Sequence, residues 1–403
     1  MTLKIGLIRE YKQPADRRVV LTPLQAKQAM DAHEGLKICV EPSPDRIFKD
    51  EEYAQMGVEV SEDMSTCDVL LGVKEVPVNK LKAHKTYLFF AHVIKEQAYN
   101  QNLMRALIKN ANTLIDYEML TNAEGKRVIG FGAHAGMAGA YNGLLTWGKK
   151  HRVFDLPPAH TLPGYEALVD ALKLQFQGTL NMVLTGTGRV SEGAQQLLND
   201  IGIQRVSPQA FLEHTFAESV YTVLGIEDLY ILQPEKPFDL THFLANSHLY
   251  SSHFARFLPR TDLLINGMYW DEKSPRLFAK DDINKPYFKP TVIADISCDV
   301  EGSVPVTYKA TDMYDPVYGI DRITLEMTAP YLPHTVDIMA VTNLPSELAA
   351  DASEHFGRQF LTHVLPGLMQ QKAPPIITRA TICSGGTLTP AFSYLSNYAY
   401  GAD

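Results

Sequence analysis

Cysteine is scarce in this sequence, and no two cysteines form a recognised motif. The 403 residues contain four, at positions 39, 67, 298 and 383, with no Cys-x-x-Cys pair and no histidines at metal-ligand spacing. Disulfide frameworks and zinc sites both need such clustering. The sequence therefore predicts reduced thiols in a cytoplasmic protein and gives no indication of a metal site.

The chain also lacks an excess of positive charge and a long apolar run. Its 37 Lys and Arg residues face 46 Asp and Glu residues, and the net charge is −9, which argues against nucleic acid and anionic membranes as partners. One glycine-rich stretch, residues 129–147, is interrupted by His134 and Asn142 and is too short to span a bilayer. Its glycines predict a helix packed closely on a neighbour. The first residues become polar after position eight, which is typical of a first strand and not of a signal peptide.

Strand-like and helix-like segments alternate through the first half of the chain, a pattern typical of a parallel sheet covered by helices. A proline-rich stretch at 154–165 predicts a connection between domains, and a second α/β unit opens at 181. A helical segment at 346–369 is predicted to return to the first domain. The predicted strands are 4–8, 37–41, 69–73, 87–91, 113–116, 181–185, 261–266 and 291–296, and the predicted helices include 23–32, 96–109 and one that opens at 194–200.

Two of these strands lead into titratable side chains. Residues 69–73 precede Lys74 and residues 87–91 precede His92, and α/β enzymes place their chemistry at the carboxyl ends of parallel strands. Lysine and histidine are also the side chains most easily tuned for proton transfer near neutral pH. Taken singly, Lys74 would be a solvated loop lysine and His92 a structural histidine. Together they predict a catalytic pair.

A glycine turn between a strand and a helix predicts a dinucleotide site. The run Gly-Thr-Gly-Arg-Val-Ser at 186–191 follows a strand, and its glycines would let helix amides approach a pyrophosphate. The third fingerprint position holds serine, so the match is imperfect. About twenty residues on, an NAD site usually has a carboxylate, whereas Arg205 and Ser207 stand here and could accept a 2′-phosphate. The predicted cofactor is NAD(P), leaning to NADP. The predicted cofactor-binding residues are Gly186, Gly188, Arg189, Val190 and Ser207.

Cations are concentrated just after the first strand. Four of them, Arg9, Lys12, Arg17 and Arg18, lie within ten residues. Such a run is either an exposed charged loop or a clamp that binds the carboxylates of a dicarboxylic substrate. Glu118 and Arg127, further along the chain, could serve the same site.

Longer strings carry a resemblance to a known family. They are densest at 86–139 and continue in Leu-Thr-Gly-Thr-Gly-Arg-Val-Ser-Glu-Gly-Ala at 184–194, Leu-Ile-Asn-Gly-Met-Tyr-Trp at 264–270, Asp-Ile-Ser-Cys-Asp at 295–299 and Asn-Leu-Pro-Ser at 343–346. On these strings the chain resembles the saccharopine dehydrogenases and lysine–2-oxoglutarate reductases, relatives of alanine dehydrogenase and of the soluble part of transhydrogenase. The later strings resemble the reductase domain of the bifunctional lysine-degrading enzyme more than the fungal biosynthetic enzyme.

The resemblance implies an α/β fold with two Rossmann-like domains whose parallel sheets flank a cleft. The predicted substrate and catalytic domain is 1–150 with 335–403, and the predicted dinucleotide domain is 151–334. The resemblance implies catalytic roles for Lys74 and His92. It implies substrate-binding roles for Lys12, Arg18, Lys95, Glu118 and Arg127, with Asp16 at a position that is usually glutamate.

The resemblance also implies the reaction. This would be a reversible reductive amination that joins L-lysine and 2-oxoglutarate to saccharopine, so the partners would be a small amino acid and a 2-oxo acid. One departure is Thr342, which stands two residues before Leu344-Pro345, where the family usually has an aspartate; a different amine is therefore possible. The alternatives are an alanine-dehydrogenase-like or other amino-acid dehydrogenase that uses ammonia, and a cofactor-binding regulatory protein without catalysis.

Overall fold

The computed structural model describes residues 2–232 and 237–401, and the chain forms two compact units. One unit comprises Met1–Phe131 and Ala349–Asp403, and the other comprises Gly132–Leu348. These boundaries differ from the predicted 150 and 334. The helix that begins at Gly132 lies in the second unit because its glycines pack against the helix after the glycine turn. Residues 335–348 also lie in the second unit, where 335–339 form a strand of its sheet.

The strands are numbered in chain order over the described residues. They are β1 Leu3–Leu7, β2 Leu36–Val40, β3 Glu59–Val60, β4 Val69–Leu71, β5 Thr86–Phe89, β6 Thr113–Asp116, β7 Asn181–Thr185, β8 Gln204–Val206, β9 Val220–Leu224, β10 Tyr230–Leu232, β11 Tyr250–Ser252, β12 Leu263–Asn266, β13 Val292–Asp295, β14 Val317–Asp321, β15 Met327–Thr328, β16 Thr335–Met339, β17 Thr381–Ser384 and β18 Thr387–Leu388.

The α-helices are numbered in the same way. They are α1 Pro23–Ala32, α2 Asp50–Gln55, α3 Ala98–Lys109, α4 Gly132–His151, α5 Tyr165–Gln175, α6 Arg189–Asp200, α7 Pro208–Glu213, α8 Ile226–Leu229, α9 Leu240–Asn246, α10 Ala349–His363, α11 Leu365–Leu368, α12 Pro375–Ala380 and α13 Ser396–Tyr400. Short 3-10 helices connect them, at Val78–Lys80, Val93–Lys95, Tyr117–Met119, Ala159–Thr161, Ser247–Leu249, Phe254–Arg260, Lys280–Asn284, Leu344–Leu348 and Pro390–Leu395. No helix within the described ranges is long and apolar enough to cross a membrane.

Local sequence explains where the first helix begins. Helix α1 starts at the predicted residue because Thr22 caps it. The Thr22 hydroxyl accepts the N–H of Gln25 at 3.2 Å, and the Gln25 side chain accepts the N–H of Thr22 at 3.1 Å. Pro23 fits the first helical position because its missing N–H would have no partner there.

The first unit contains one sheet of eight strands. Their order is β18-β17-β6-β5-β4-β1-β2-β3, and β17 pairs antiparallel with both of its neighbours, β6 and β18. The chain leaves β1 first toward β2 and then returns to place β4 on the other side of β1. The carboxyl ends of β1 and β4 therefore border the point where the strand order reverses, which is where open α/β sheets bind ligands.

The second unit also contains an eight-stranded sheet, in the order β15-β14-β16-β13-β12-β7-β9-β8. The six strands from β16 to β8 run parallel, so the predicted α/β class with parallel sheets is confirmed. The strand that follows the glycine turn and helix α6, β8, does not pair with β7. Strand β9 lies between them and pairs with both. The predicted NADP leaning rested on the residues at the end of β8, and this strand lies at the edge of the sheet.

Two helices of the second unit approach each other closely through glycines. A Cβ on Gly136 of α4 would lie 1.8 Å from the Val190 carbonyl oxygen, and a Cβ on Gly193 of α6 would lie 1.9 Å from the Ala133 carbonyl oxygen. Only glycine fits at both positions. This contact is the close helix packing predicted from the glycine-rich stretch, and it fixes the start of α6 behind the glycine turn.

Candidate active site

Lys74 lies at the edge of the first sheet where the strand order reverses. The ladder between β1 and β4 ends with Leu7 opposite Leu71, and Lys74 follows three residues later. Its side chain is partly buried. Burial and the nearby Arg18 guanidinium hold the pKa of the Lys74 ammonium below its ordinary value of 10.5, and Lys12 adds to this effect. A lysine tuned in this direction releases its proton more readily near neutral pH.

Arg18 belongs to the same cluster, but its guanidinium is already engaged. Arg18 Nε donates to Asp16 Oδ1 at 2.9 Å and Nη2 donates to Asp16 Oδ2 at 2.5 Å, and both residues are buried. The guanidinium also lies 4.2 Å from the centre of the Phe131 ring. The predicted clamp therefore differs from a free arginine fork, because Asp16 occupies the bidentate face of Arg18.

Lys12 is exposed and pairs with a carboxylate that sequence reasoning missed. Its ammonium lies 2.5 Å from Glu75 Oε1. Glu75 directly follows Lys74, so the pair connects the carboxyl end of β1 to that of β4. The ammonium of Lys12 lowers the pKa of Glu75, against the opposing effect of burial.

His92 is held in an unusual backbone conformation at the end of β5. Its φ is 55°, in the left-handed region, which non-glycine residues adopt only when the surroundings fix them. The ring stacks on Phe90 with centroids 6.4 Å apart and an interplanar angle of 20°. His92 Nδ1 lies 3.5 Å from Glu118 Oε2, so a carboxylate that follows β6 faces the imidazole.

Glu118 joins His92 to the remaining predicted cations. Arg127 Nη2 donates to Glu118 Oε1 at 2.9 Å, and Arg127 Nε donates to the Glu118 carbonyl at 3.1 Å. Its contact with His92, the Arg127 guanidinium and the charge of Lys95 lower the pKa of Glu118 to about 2. Lys95 itself is exposed. The structure thus brings the predicted residues of the first unit into two groups at one sheet edge, around Lys74 and around His92.

The glycine turn has the form predicted for a dinucleotide site. Gly186 has φ of +89°, and a Cβ there would lie 2.8 Å from Met268 Cα. Gly188 caps α6, a helix of twelve residues, and a Cβ on Gly188 would meet no atom within 4 Å. Open space therefore lies beside Gly188 at the start of α6, where Arg189 and Val190 follow.

Ser207 is not placed beside this turn. It follows β8, which lies at the sheet edge, and its hydroxyl caps α7 by accepting the Ala210 N–H at 3.1 Å. The neighbour of β7 is β9, and the Leu224 carbonyl at its end accepts the N–H of Gly186 at 2.9 Å. The residues that follow β9 are Gly225, Ile226, Glu227 and Asp228, which sequence reasoning overlooked because they come third in chain order.

Thr342, the departure from the family pattern, is exposed in the second unit. Its N–H donates to the Thr311 carbonyl at 3.1 Å, so its main chain is fixed. It offers a hydroxyl where the family usually has a carboxylate. Among the residues that the structure describes, no three His, Cys, Asp or Glu side chains form a group that could hold a metal ion.

Known proteins resemble the chain over most of its length. Residues 6–138 match the model of the alanine dehydrogenase/PNT N-terminal domain. Saccharopine dehydrogenase (NAD(+), L-lysine-forming) of Yarrowia lipolytica is 28% identical over 401 residues, which cover 94% of this chain and 96% of that protein. The chain is similar to this saccharopine dehydrogenase over most of both sequences. This relationship confirms the predicted resemblance.

A second set of relatives is longer. The mitochondrial alpha-aminoadipic semialdehyde synthase of Mus musculus is 30% identical over 443 residues, which cover 97% of this chain and 47% of the synthase. The chain thus spans about half the length of these relatives.

Solved structures confirm the predicted fold. L-alanine dehydrogenase matches with a TM-score of 0.66 and 16% identity, covering 98% of this chain and 99% of that one. The transhydrogenase from Sinorhizobium meliloti matches with a TM-score of 0.62 and 14% identity, covering 96% of this chain and 100% of that one. At these identities the likeness concerns the fold alone.

Proposed function

We propose that this chain catalyses a reversible, nicotinamide-dependent reductive amination that joins L-lysine and 2-oxoglutarate to saccharopine. The observation that carries the proposal is the placement of Lys74 and His92 at the carboxyl ends of β4 and β5, which are neighbouring strands of one sheet. The reaction needs one group that accepts protons from an amine and one that exchanges protons with water at the same carbon. The name of the relative in Yarrowia lipolytica agrees with this chemistry.

The residues of the first unit suit the proton transfers of this reaction. The amine nitrogen attacks the oxo carbon, and the resulting carbinolamine loses water to form an imine. Lys74, with its lowered pKa, would take the proton that the amine nitrogen releases. His92, oriented by Glu118 at 3.5 Å, would give a proton to the departing hydroxyl. Lys12, Arg18, Lys95 and Arg127 would balance the charges of the substrate carboxylates.

The nicotinamide dinucleotide would supply the hydride that reduces the imine carbon. Gly186, Gly188, Arg189 and Val190 would hold its pyrophosphate at the start of α6, where the amides of the helix terminus favour negative charge. The space over Gly188 is the feature of the described residues that supports this placement.

We further propose that the dinucleotide is NAD and not NADP. The carboxylate that selects NAD belongs at the end of the strand beside β7, and this strand is β9. Glu227 is exposed, and its two carboxylate oxygens lie 2.5 Å from the position that a Cβ on Gly225 would take. The next residue in the sequence, Asp228, instead accepts the Gly225 N–H at 3.0 Å. Glu227 can therefore accept ribose hydroxyls and would repel a 2′-phosphate.

Binding of NADH and NADPH to Glu227→Gln tests this assignment. Fluorescence titration should show that the wild type prefers NADH and that the variant binds NADH about tenfold more weakly, as expected for loss of a charged hydrogen-bond acceptor. The matched control is Glu218→Gln, because Glu218 is exposed and precedes the opposite end of β9. Equal affinity of the wild type for both dinucleotides would contradict the assignment.

Product analysis tests the reaction itself. Oxidation of NADH is followed with 2-oxoglutarate plus lysine or plus ammonia, and the product is identified by mass spectrometry. Saccharopine formed only with lysine is the expected outcome. Oxidation with ammonia alone would favour an amino-acid dehydrogenase, and turnover only with another amine would indicate that Thr342 marks a changed substrate. Cofactor binding with no turnover across an amine panel would favour a regulatory protein.

We also propose a cytoplasmic location. All four cysteines are free, and three of them are buried, which agrees with a reducing compartment. Fractionation of cells with an antibody against the chain would test this; enrichment with an organelle would contradict it.

A further inference from the structure

Glu10 lies in the candidate active site and has no role in the reaction described above. It follows β1 by three residues, at the same sheet edge as Lys74. Its carboxylate accepts two consecutive main-chain N–H groups, with Oε1 at 2.6 Å from the Val73 nitrogen and Oε2 at 2.8 Å from the Lys74 nitrogen. One side chain thus binds the backbone of the residue that the proposed mechanism uses for proton transfer.

The position of these contacts shows what they replace. The main-chain ladder between β1 and β4 ends where the Ile8 N–H donates to the Leu71 carbonyl at 2.9 Å. On its other side, the pairing of β4 with β5 continues one residue beyond Leu71, since the Gly72 N–H donates to the Leu88 carbonyl at 3.0 Å. Beyond Leu71 the chain that carries Lys74 loses its β1 partner, and the Glu10 carboxylate takes the place of the missing carbonyls. Backbone N–H groups in a partly buried site need such an acceptor.

We propose that Glu10 is a positioning residue, which holds the main chain at Val73 and Lys74 and thereby fixes the Lys74 ammonium in its desolvated place near Arg18. The role rests on the proposed function only in that Lys74 transfers the proton. Glu10 acts through the main chain, because both of its oxygens accept main-chain N–H groups, while burial and the nearby Asp16 carboxylate raise the pKa of its carboxyl to about 8. The charged groups around Lys74 are Arg18, Lys12, Asp16 and Glu75, and the Glu10 carboxyl also faces Asp16 and Arg18.

Two substitutions at Glu10 remove different numbers of its contacts with the main-chain N–H groups of Val73 and Lys74. Glu10→Gln keeps one acceptor oxygen, and Glu10→Ala removes both. The matched control is Glu41→Gln. Glu41 also ends a neighbouring strand, and its carboxylate accepts the Arg9 N–H at 3.0 Å and the Tyr11 hydroxyl at 2.8 Å, with no contact to Lys74 in the described structure.

The first measurement is the pH dependence with which acetic anhydride acetylates Lys74, followed by mass spectrometry. In Glu10→Ala the main chain at Val73 and Lys74 is no longer held, so the Lys74 ammonium becomes more exposed to water. The midpoint for Lys74 should therefore rise by about one pH unit in Glu10→Ala, which is about a tenfold loss of reactivity at neutral pH. Glu41→Gln should follow the wild-type curve. An unchanged curve in folded Glu10→Ala overturns the inference, whether or not the protein turns over substrate.

The second measurement is steady-state kinetics with lysine and 2-oxoglutarate. Misplacement of Lys74 should lower kcat by up to about 100-fold, while the KM of the oxo acid changes little. Because Lys74 acts as the base in this direction, the acidic limb of the kcat profile should move to higher pH together with the acetylation midpoint. If acetylation shifts but no variant and no wild type shows turnover, the proposed function fails and the role of Glu10 stands.

Hydrogen exchange of the wild-type protein is a third test, and it does not depend on whether a variant folds. The amides of Val73 and Lys74 should exchange as slowly as that of Gly72, which belongs to the ladder. Exchange of both at the rate of exposed loop amides would overturn the inference.

Discussion

Two side chains at one sheet edge have different surroundings. Burial and the cations Arg18 and Lys12 hold the pKa of Lys74 below its ordinary value, which favours its neutral form. His92 instead faces one carboxylate, Glu118, at 3.5 Å. Each of the two therefore has its own expected response to substitution.

Substitution of Lys74 should remove proton transfer without affecting the fold. Lys74→Met keeps an unbranched side chain of similar length, and kcat should fall about 10²- to 10⁴-fold, the usual contribution of general acid–base catalysis. Steady-state kinetics and a melting curve measure the two effects. The control is Lys80→Met, an exposed lysine that ends the 3-10 helix Val78–Lys80. A rate near that of the wild type in Lys74→Met would remove Lys74 from the mechanism.

His92 has a matched control in the same segment of the chain. His84, before β5, also has a positive φ, of 57°, but it is exposed. His92→Gln should lower kcat about 10²-fold or more, whereas His84→Gln should leave it unchanged. Equal effects of the two substitutions would mean that backbone strain and not imidazole chemistry explains the loss.

Glu118 should make the stability of the protein depend on pH. Its pKa is about 2 in the folded chain against an ordinary value of 4.5, so the ionised carboxylate stabilises the fold above pH 4.5. This contribution, at most about 3 kcal/mol, is lost as the pH falls toward 2. Urea unfolding should therefore show Glu118→Gln less stable than the wild type at pH 7, with a smaller difference at pH 3. A difference that does not change with pH would contradict this origin.

Sequence reasoning located the two catalytic candidates but not the residues that hold them. Lys74 and His92 follow strand ends that local apolar runs mark. Glu10 contacts a residue 64 positions away, and Lys12 contacts one 63 positions away. No local pattern records which carboxylate meets which partner across neighbouring strands, because the order of strands in the sheet decides it.

The same holds for whole strands and helices: elements marked by local sequence were predicted, and elements that depend on pairing with distant strands were not. The bounds of α1, β6 and β7 agree with prediction because a cap or an apolar run marks each. The strands β17 and β18 were not predicted, since β17 forms by antiparallel pairing onto β6, which is distant in the chain, and β18 pairs onto β17. The position of β9 between β7 and β8 was not predicted either. For the proposed NAD site, that difference moves the relevant strand end from β8 to β9, which Glu227 follows.

The helix pair α4 and α6 makes the clearest prediction at this scale. In Gly193→Ala the new methyl would lie 1.9 Å from a main-chain oxygen, so the helices must separate. Overpacking of this kind costs about 1–3 kcal/mol or more, and the free energy of unfolding in urea should fall by that amount. Glu192→Ala, on the exposed face of the same helix, should change it little. A stable Gly193→Ala protein would mean that the two helices do not pack as closely as described.

At the scale of the whole molecule, the chain completes the second unit between two segments of the first. The predicted boundaries missed this division by 14–19 residues, since Phe131 and Leu348 replace 150 and 334. Composition suggested that the boundary between the units lies in the proline-rich stretch. The packing of α4 on α6 instead places the boundary before α4, and α4 precedes that stretch. Tertiary contacts of the glycines, not the turn-forming residues, set the limit of the unit.

Binding of the dinucleotide should be visible in the stability of the folded protein. A ligand at a hundredfold excess over its dissociation constant adds about 2.7 kcal/mol, which for a unit of this size raises the melting temperature by roughly 5–10 °C. NADH should produce this shift, and NADPH at the same concentration a smaller one. Gly188→Val should abolish both shifts without lowering the melting temperature of the free protein. The reason is that a Cβ on Gly188 meets no protein atom within 4 Å, so the valine would fill only the space proposed for the pyrophosphate. A Gly188→Val protein that still responds to NADH would place the dinucleotide elsewhere.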